Sequence, residues 1–149
     1  LINKPVFVNE VITPCSSFPN SFIRINAWNG FLHRELIELA ANENQYSIVE
    51  EIMNALGWKY QIVADEPGMI APRIIAMIIN EAYFGLEDKI STKEEIDVAM
   101  KLGTNYPYGP FEWSEKVGLK KIYHLLYVLS SQDARYTPSM LLKETALTQ

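Results

Sequence analysis

One stretch decides most of what this chain can fold into: Asp65–Leu86, DEPGMIAPRIIAMIINEAYFGL. It opens with the chemistry of a helix start. Asp65 offers a capping carboxylate, and Pro67 sits where a missing backbone N–H removes no hydrogen bond. Met69, Ile70, Ala71, Ile74, Ile75, Ala76, Met77, Ile78, Ile79, Ala82, Tyr83, Phe84 and Leu86 then follow. At about 100° per residue they cover nearly the whole cylinder. A helix apolar all round must be covered on every side, either at the centre of a core or against a partner subunit. Arg73, Asn80 and Glu81 interrupt the run, and no longer apolar run is present, which argues against a membrane span. A helix of about twenty residues is roughly 30 Å long, so the rest of the chain has much to cover.

Before this stretch the pattern alternates between strand and helix. Pro5–Ile12 (PVFVNEVI) reads as a strand followed by a turn cluster, and Phe22–Trp28 (FIRINAW) has the two-residue strand period. Asn29-Gly30 signals a turn. Residues 31–41 admit a helix through Leu32, Leu36, Leu39 and Ala40, or a short strand through Leu36, Ile37 and Leu39. Asn44–Leu56 repeats Tyr46, Val49, Ile52, Met53 and Leu56 at helical spacing and is stopped by Gly57, and Tyr60–Ala64 is a further short strand.

After Asp65 the strand signals vanish. Ser91-Thr92-Lys93-Glu94 reads as a capping box opening a helix with Ile96, Ala99, Met100 and Leu102 on its apolar face and Gly103 at its end. Tyr106–Pro110 is a rigid connector. Pro110–Val117, Leu119–Leu129 and Ser139–Leu147 complete a helical second part. The predicted organisation is an α/β fragment over 1–64, then an all-α domain over 65–149. The first part, with a few strands and one helix, exposes sheet edges and an open face that something else must cover.

At 149 residues, 48% apolar, 21% charged and with a net charge of −5, the chain has the composition of a soluble globular protein without a basic footprint for nucleic acid. Cys15 is the one cysteine, which rules out an internal disulfide and fits a reducing, cytoplasmic setting. The start is too polar for a signal peptide, and it is Leu rather than Met, which suggests a fragment or a processed chain. Neither G-x-G-x-x-G nor G-x-x-x-x-G-K occurs. With His33, His124 and Cys15 as the only soft ligands, no metal site is expected. Isolated histidines of this kind read as surface or boundary residues before catalytic ones. Glu38 interrupts Leu36-Ile37-Glu38-Leu39. A carboxylate in an apolar run can be tuned for proton transfer, but on spacing alone a Glu on the wet face of a strand is the commoner reading. Asn29 reads first as a turn residue.

The residues from Asp65 onward resemble the C-terminal domain of the 3-hydroxyacyl-CoA dehydrogenases. The resemblance rests on DEPG at 65–68, the long helix, and STKEEIDVAMKLGTNYPYGPFEWSEKVGL at 91–119. The earlier part resembles the end of that family's nucleotide-binding domain more loosely. There the family's H-x-x-N-P and K-L-V-E-V correspond to Asn26-Ala27-Trp28-Asn29-Gly30 and Leu36-Ile37-Glu38-Leu39.

The resemblance implies the last strands of a Rossmann-like sheet and a multi-helix dimerisation domain like the C-terminal one of 6-phosphogluconate dehydrogenase. It also implies NAD-dependent oxidation of the 3-hydroxyl of an acyl-CoA in fatty-acid metabolism, and a homodimer. Glu38 then matches the catalytic glutamate that orients a histidine base, and Asn29 an asparagine beside the nicotinamide. Two positions depart: Asn26 stands where the family has that histidine, and Pro72 where it has a substrate-side asparagine. An amide cannot accept the proton, and proline offers no amide at all. The first reading is therefore part of such a dehydrogenase, inactive by itself. The alternative is a diverged non-catalytic dimerisation or acyl-CoA-binding module.

Overall fold

The computed structural model describes residues 4–148, so the outermost residues of the two expected segments lie outside the described residues. The chain packs as two compact units, Leu1–Pro72 and Arg73–Gln149.

The first unit is built on four short strands, β1 (Val6–Val8), β2 (Phe22–Ile25), β3 (Leu36–Ala40) and β4 (Lys59–Ile62), in that spatial order. β1 and β2 are parallel, β2 and β3 antiparallel, and β3 and β4 parallel. Helix α1 (Tyr46–Leu56) makes the crossover that a parallel β3–β4 pair requires. Gly57, at φ 66°, ends it in the left-handed conformation that glycine adopts without steric cost. The strand period sorts the side chains: Ile23, Ile25, Ile37 and Leu39 point to one face and form a core with Val49 and Met53 of α1. Ala40 turns the other way, towards Cys15 and Met69. Residues 31–41 thus resolve as a 3-10 turn (Phe31–His33) followed by β3, because Ile37 and Leu39 are taken up by the core under α1. β1 and β2 are shorter than the expected strands, and α1 begins at Tyr46, after a 3-10 turn over Glu43–Gln45.

Helix α2 runs over Ala71–Glu87. Its start differs from the expectation at Asp65. That carboxylate accepts from Cys15 N and from the Arg24 guanidinium rather than capping a helix. The chain between them turns through Gly68 (φ 85°) and Met69 (φ 47°). Within the chain this helix is covered on only part of its surface. Ile79 and Ala76 are fully buried, whereas Ile74 and Phe84 are exposed.

The second unit continues with α3 (Lys93–Thr104), α4 (Pro110–Val117), α5 (Leu119–Ser130) and α6 (Met140–Thr148). The capping box of α3 sits one residue later than expected: Thr92 accepts from Glu95 N, and Glu95 accepts from Thr92 N. Gly103 does not stop α3, which ends one residue on, with Asn105 in the left-handed conformation as its cap. Asn80, a polar interruption of the apolar run, is fully buried. It donates to Thr137 O and accepts from Ser139 N, both at 2.9 Å, so it pins the approach to α6.

The connector before α4 has a similar logic. Gly109 caps α4 but has no side chain to accept from the first turn. Asp97 of α3 supplies the missing acceptor, taking Phe111 N at 2.8 Å and Glu112 N at 3.1 Å. A Cβ at Gly109 would overlap that carboxylate. Pro110 occupies the first helical position, where it costs nothing, and Glu112 folds back onto Gly109 N. Among the described residues no helix is long and apolar enough to cross a membrane.

Candidate functional site

The antiparallel β2–β3 register pairs Arg24 with Ala40 and Ile25 with Leu39. One step further, Asn26 and Glu38 come opposite each other, and Asn26 N donates to Glu38 O at 3.0 Å. Both side chains point away from the α1 face. Asn26 Nδ2 donates to Glu38 Oε2 at 3.2 Å, and Glu38 Oε1 accepts from Ala71 N, the first residue of α2, at 2.9 Å. Asn26 Oδ1 takes Trp28 N at 3.4 Å. Glu38 is 8% exposed and Asn26 2%, so the reading of Glu38 as a wet-face residue is corrected. Leu36 is the exposed residue of β3, while Glu38 lies buried with donors at both oxygens.

Asn29 lies elsewhere. It is exposed, at the second position of the turn closed by Phe31 N on Trp28 O. Gly30 follows at φ 91°, ψ −11°, the geometry of a type II turn, which selects glycine there. The structure therefore brings Glu38 together with Asn26 and does not bond Asn29 to either. His33 ends the 3-10 turn between β2 and β3 and His124 lies on α5, and both are exposed. Among the described residues no cluster of three or more His, Cys, Asp or Glu could hold a metal.

A second polar cluster lies on the same face of the sheet as Asn26, and sequence reasoning missed it. Arg24 is fully buried. It forms an ion pair with Asp65 and donates to Glu10 O at 3.2 Å, Val11 O at 2.7 Å and Glu66 O at 3.2 Å. Burial alone would raise the Asp65 pKa, but the bonds from Cys15 N and Arg24 outweigh it and hold the carboxyl below its ordinary value. Cys15 is pushed up to about 11, by burial first and then by Asp65, so its thiol stays protonated and unreactive. The signal for this cluster was an arginine on the two-residue period of an otherwise apolar strand, which needs a buried acid to face.

The second unit agrees with a known sequence pattern. The family model for the 3-hydroxyacyl-CoA dehydrogenase C-terminal domain matches residues 68–149. The chain belongs to the 3-hydroxyacyl-CoA dehydrogenase family. It is 45% identical over 87 residues to 3-hydroxyadipyl-CoA dehydrogenase of Escherichia coli, covering 57% of this chain and 18% of that protein. It is 34% identical over 130 residues to 3-hydroxybutyryl-CoA dehydrogenase of Bradyrhizobium diazoefficiens, covering 83% of this chain and 44% of that one. The crystal structure of (S)-3-hydroxybutyryl-CoA dehydrogenase from Ralstonia eutropha superposes with a TM-score of 0.84 at 28% identity, over 97% of this chain and 55% of its own. The chain spans about half the length, or less, of these family members. The fold is accordingly the end of a Rossmann-like sheet followed by the family's helical domain.

Proposed function

We propose that these residues are part of an NAD-dependent oxidoreductase acting on the 3-hydroxyl of an acyl-CoA in fatty-acid metabolism, and that this chain alone does not turn over. One observation carries the reading. Glu38 and Asn26 meet across β2–β3 at the two positions where the family resemblance puts a glutamate and the histidine it orients. The scaffold of a carboxylate-oriented base is present, and an amide stands in the base's place. Asn26 cannot take the hydroxyl proton, a loss of about 10²–10⁴-fold in rate. Pro72, buried in the first turn of α2, holds no substrate oxygen.

NAD, when bound, supplies the hydride acceptor at the substrate's C3. The residues in hand fit only its nicotinamide end, where the exposed amide of Asn29 offers one donor group and one acceptor to a carboxamide. No glycine-rich cradle for the pyrophosphate occurs in this sequence.

A homodimer through the helical domain is part of the reading, supported by the exposed Ile74 and Phe84 of α2. So is a cytoplasmic setting, supported by the single buried thiol. Sedimentation at several concentrations tests the dimer, and a monomer throughout would remove it. The losses at Asn26 and Pro72 favour a second reading, a non-catalytic acyl-CoA-binding or dimerisation module.

NADH oxidation with acetoacetyl-CoA separates the two. The 149-residue chain should show none, and the longest natural form of the protein should show turnover. Turnover by the chain alone overturns the first reading. No turnover in either form, with acyl-CoA binding retained, establishes the second.

A further inference from the structure

Seven residues, Asp65–Ala71, follow β4 and lead into the first residue of α2 through two consecutive left-handed residues, Gly68 and Met69. Met in that conformation is uncommon, so the segment needs to be held from outside. It is held at several points. Asp65 accepts from Cys15 N at 2.8 Å and pairs with Arg24. Glu66 O accepts from Arg24 at 3.2 Å, and Gly68 N donates to Val11 O at 2.8 Å. Ala71 N, at the far end, donates to Glu38 Oε1 at 2.9 Å.

The chemistry of that last point admits one orientation. A carboxylate only accepts, so Asn26 must turn Nδ2 towards Glu38. Trp28 N–H only donates, so it must meet Oδ1, and it does. Both ends of the Asn26 amide and both oxygens of Glu38 are thus taken by groups inside the fold, and both side chains are nearly closed to solvent.

We propose that Glu38 in this chain is a structural fastener. Together with Asn26 it locks the β2–β3 pair to the first amide of α2 and closes the far end of the 65–71 segment. Asn26 suits that role because it keeps a donor on Glu38 whatever the pH and is itself held at its other end. The fastener goes beyond the proposed activity and stands or falls without it.

Amide hydrogen exchange on the 149-residue chain tests it, since no substrate enters the measurement. Glu38→Gln keeps the shape but leaves one oxygen for two donors. Either the Ala71 amide or the Asn26 side-chain amide should then exchange at least about tenfold faster. Phe111 N, held by Asp97 in the other unit, should be unchanged. In thermal unfolding, Glu38→Ala and Asn26→Leu should be non-additive, because each removes a bond the other also removes. Unaltered exchange at both Ala71 and Asn26 in Glu38→Gln, or additive melting shifts, would overturn the proposal. If Glu38→Ala does not fold, the near-isosteric glutamine variant decides alone.

Discussion

Glu38 in the first unit and Asp97 in the second are the same device built with different partners. Each is a carboxylate 8% exposed, each sits on one element, and each accepts from the start of another helix. Asp97 takes two consecutive backbone amides of α4. Glu38 takes one backbone amide and one side chain, Asn26. The difference teaches how differently the two positions are constrained. A carboxylate serving two backbone amides, pressed against a glycine that must lack a Cβ, ties Asp97 and Gly109 together. A carboxylate serving a side chain needs only a donor from position 26. Residues 68–149 match the family's C-terminal domain, and in the first unit the Glu38 carboxylate is held with an amide at position 26.

Four substitutions or conditions press on this comparison. Arg24→Met should have the largest effect, about 3–5 kcal/mol, because it strands Asp65 among groups arranged around a charge. Chemical denaturation measures it. Asp97→Ala should follow at about 2–5 kcal/mol, since it leaves Phe111 N and Glu112 N without an acceptor. A loss no larger than that of an exposed cap would mean that α4 does not depend on α3.

Acid should act on the first unit through Asp65. Its folded pKa lies below the ordinary 3.8, so its contribution is complete above that value. That contribution is lost as the pH falls through the lowered pKa. In Asp65→Asn this part of the acid limb should be gone from a melting-temperature profile. Asn26→His should have the smallest effect, within about 1 kcal/mol, because an imidazole N–H can replace the amide donor on Glu38. A loss as large as that at Asp97 would show that position 26 is as constrained as the backbone caps.

Much of the fold was legible because local signals and burial agreed. The apolar spacing of Val49 and Met53, the Gly57 stop and the Pro110 start all lie where the helices begin, end or pack. Asp65 was misread because its partners, Cys15 and Arg24, are 50 and 41 residues away, and no local pattern announces them. The Asp-x-Pro-Gly run looks like a cap until Arg24 is seen behind it. The burial of Glu38 was hidden for a related reason. Its alternation is that of a half-solvated strand, and only the register that sets it opposite Asn26, with Ala71 N above, turns the wet face into a closed one. Gly103 failed as a stop because the helical bonds of α3 run one residue past it and Asn105 adopts the left-handed cap.

The central claim is that a dehydrogenase site persists here with an amide in place of its base. Its most direct test is NADH oxidation with acetoacetyl-CoA by the longest natural form of the protein, unaltered and carrying Asn26→His with Pro72→Asn. A rise in turnover of about 10²-fold or more in the double variant is the predicted result. Turnover left at the unaltered level would contradict the claim and place the base outside the Glu38–Asn26 pair.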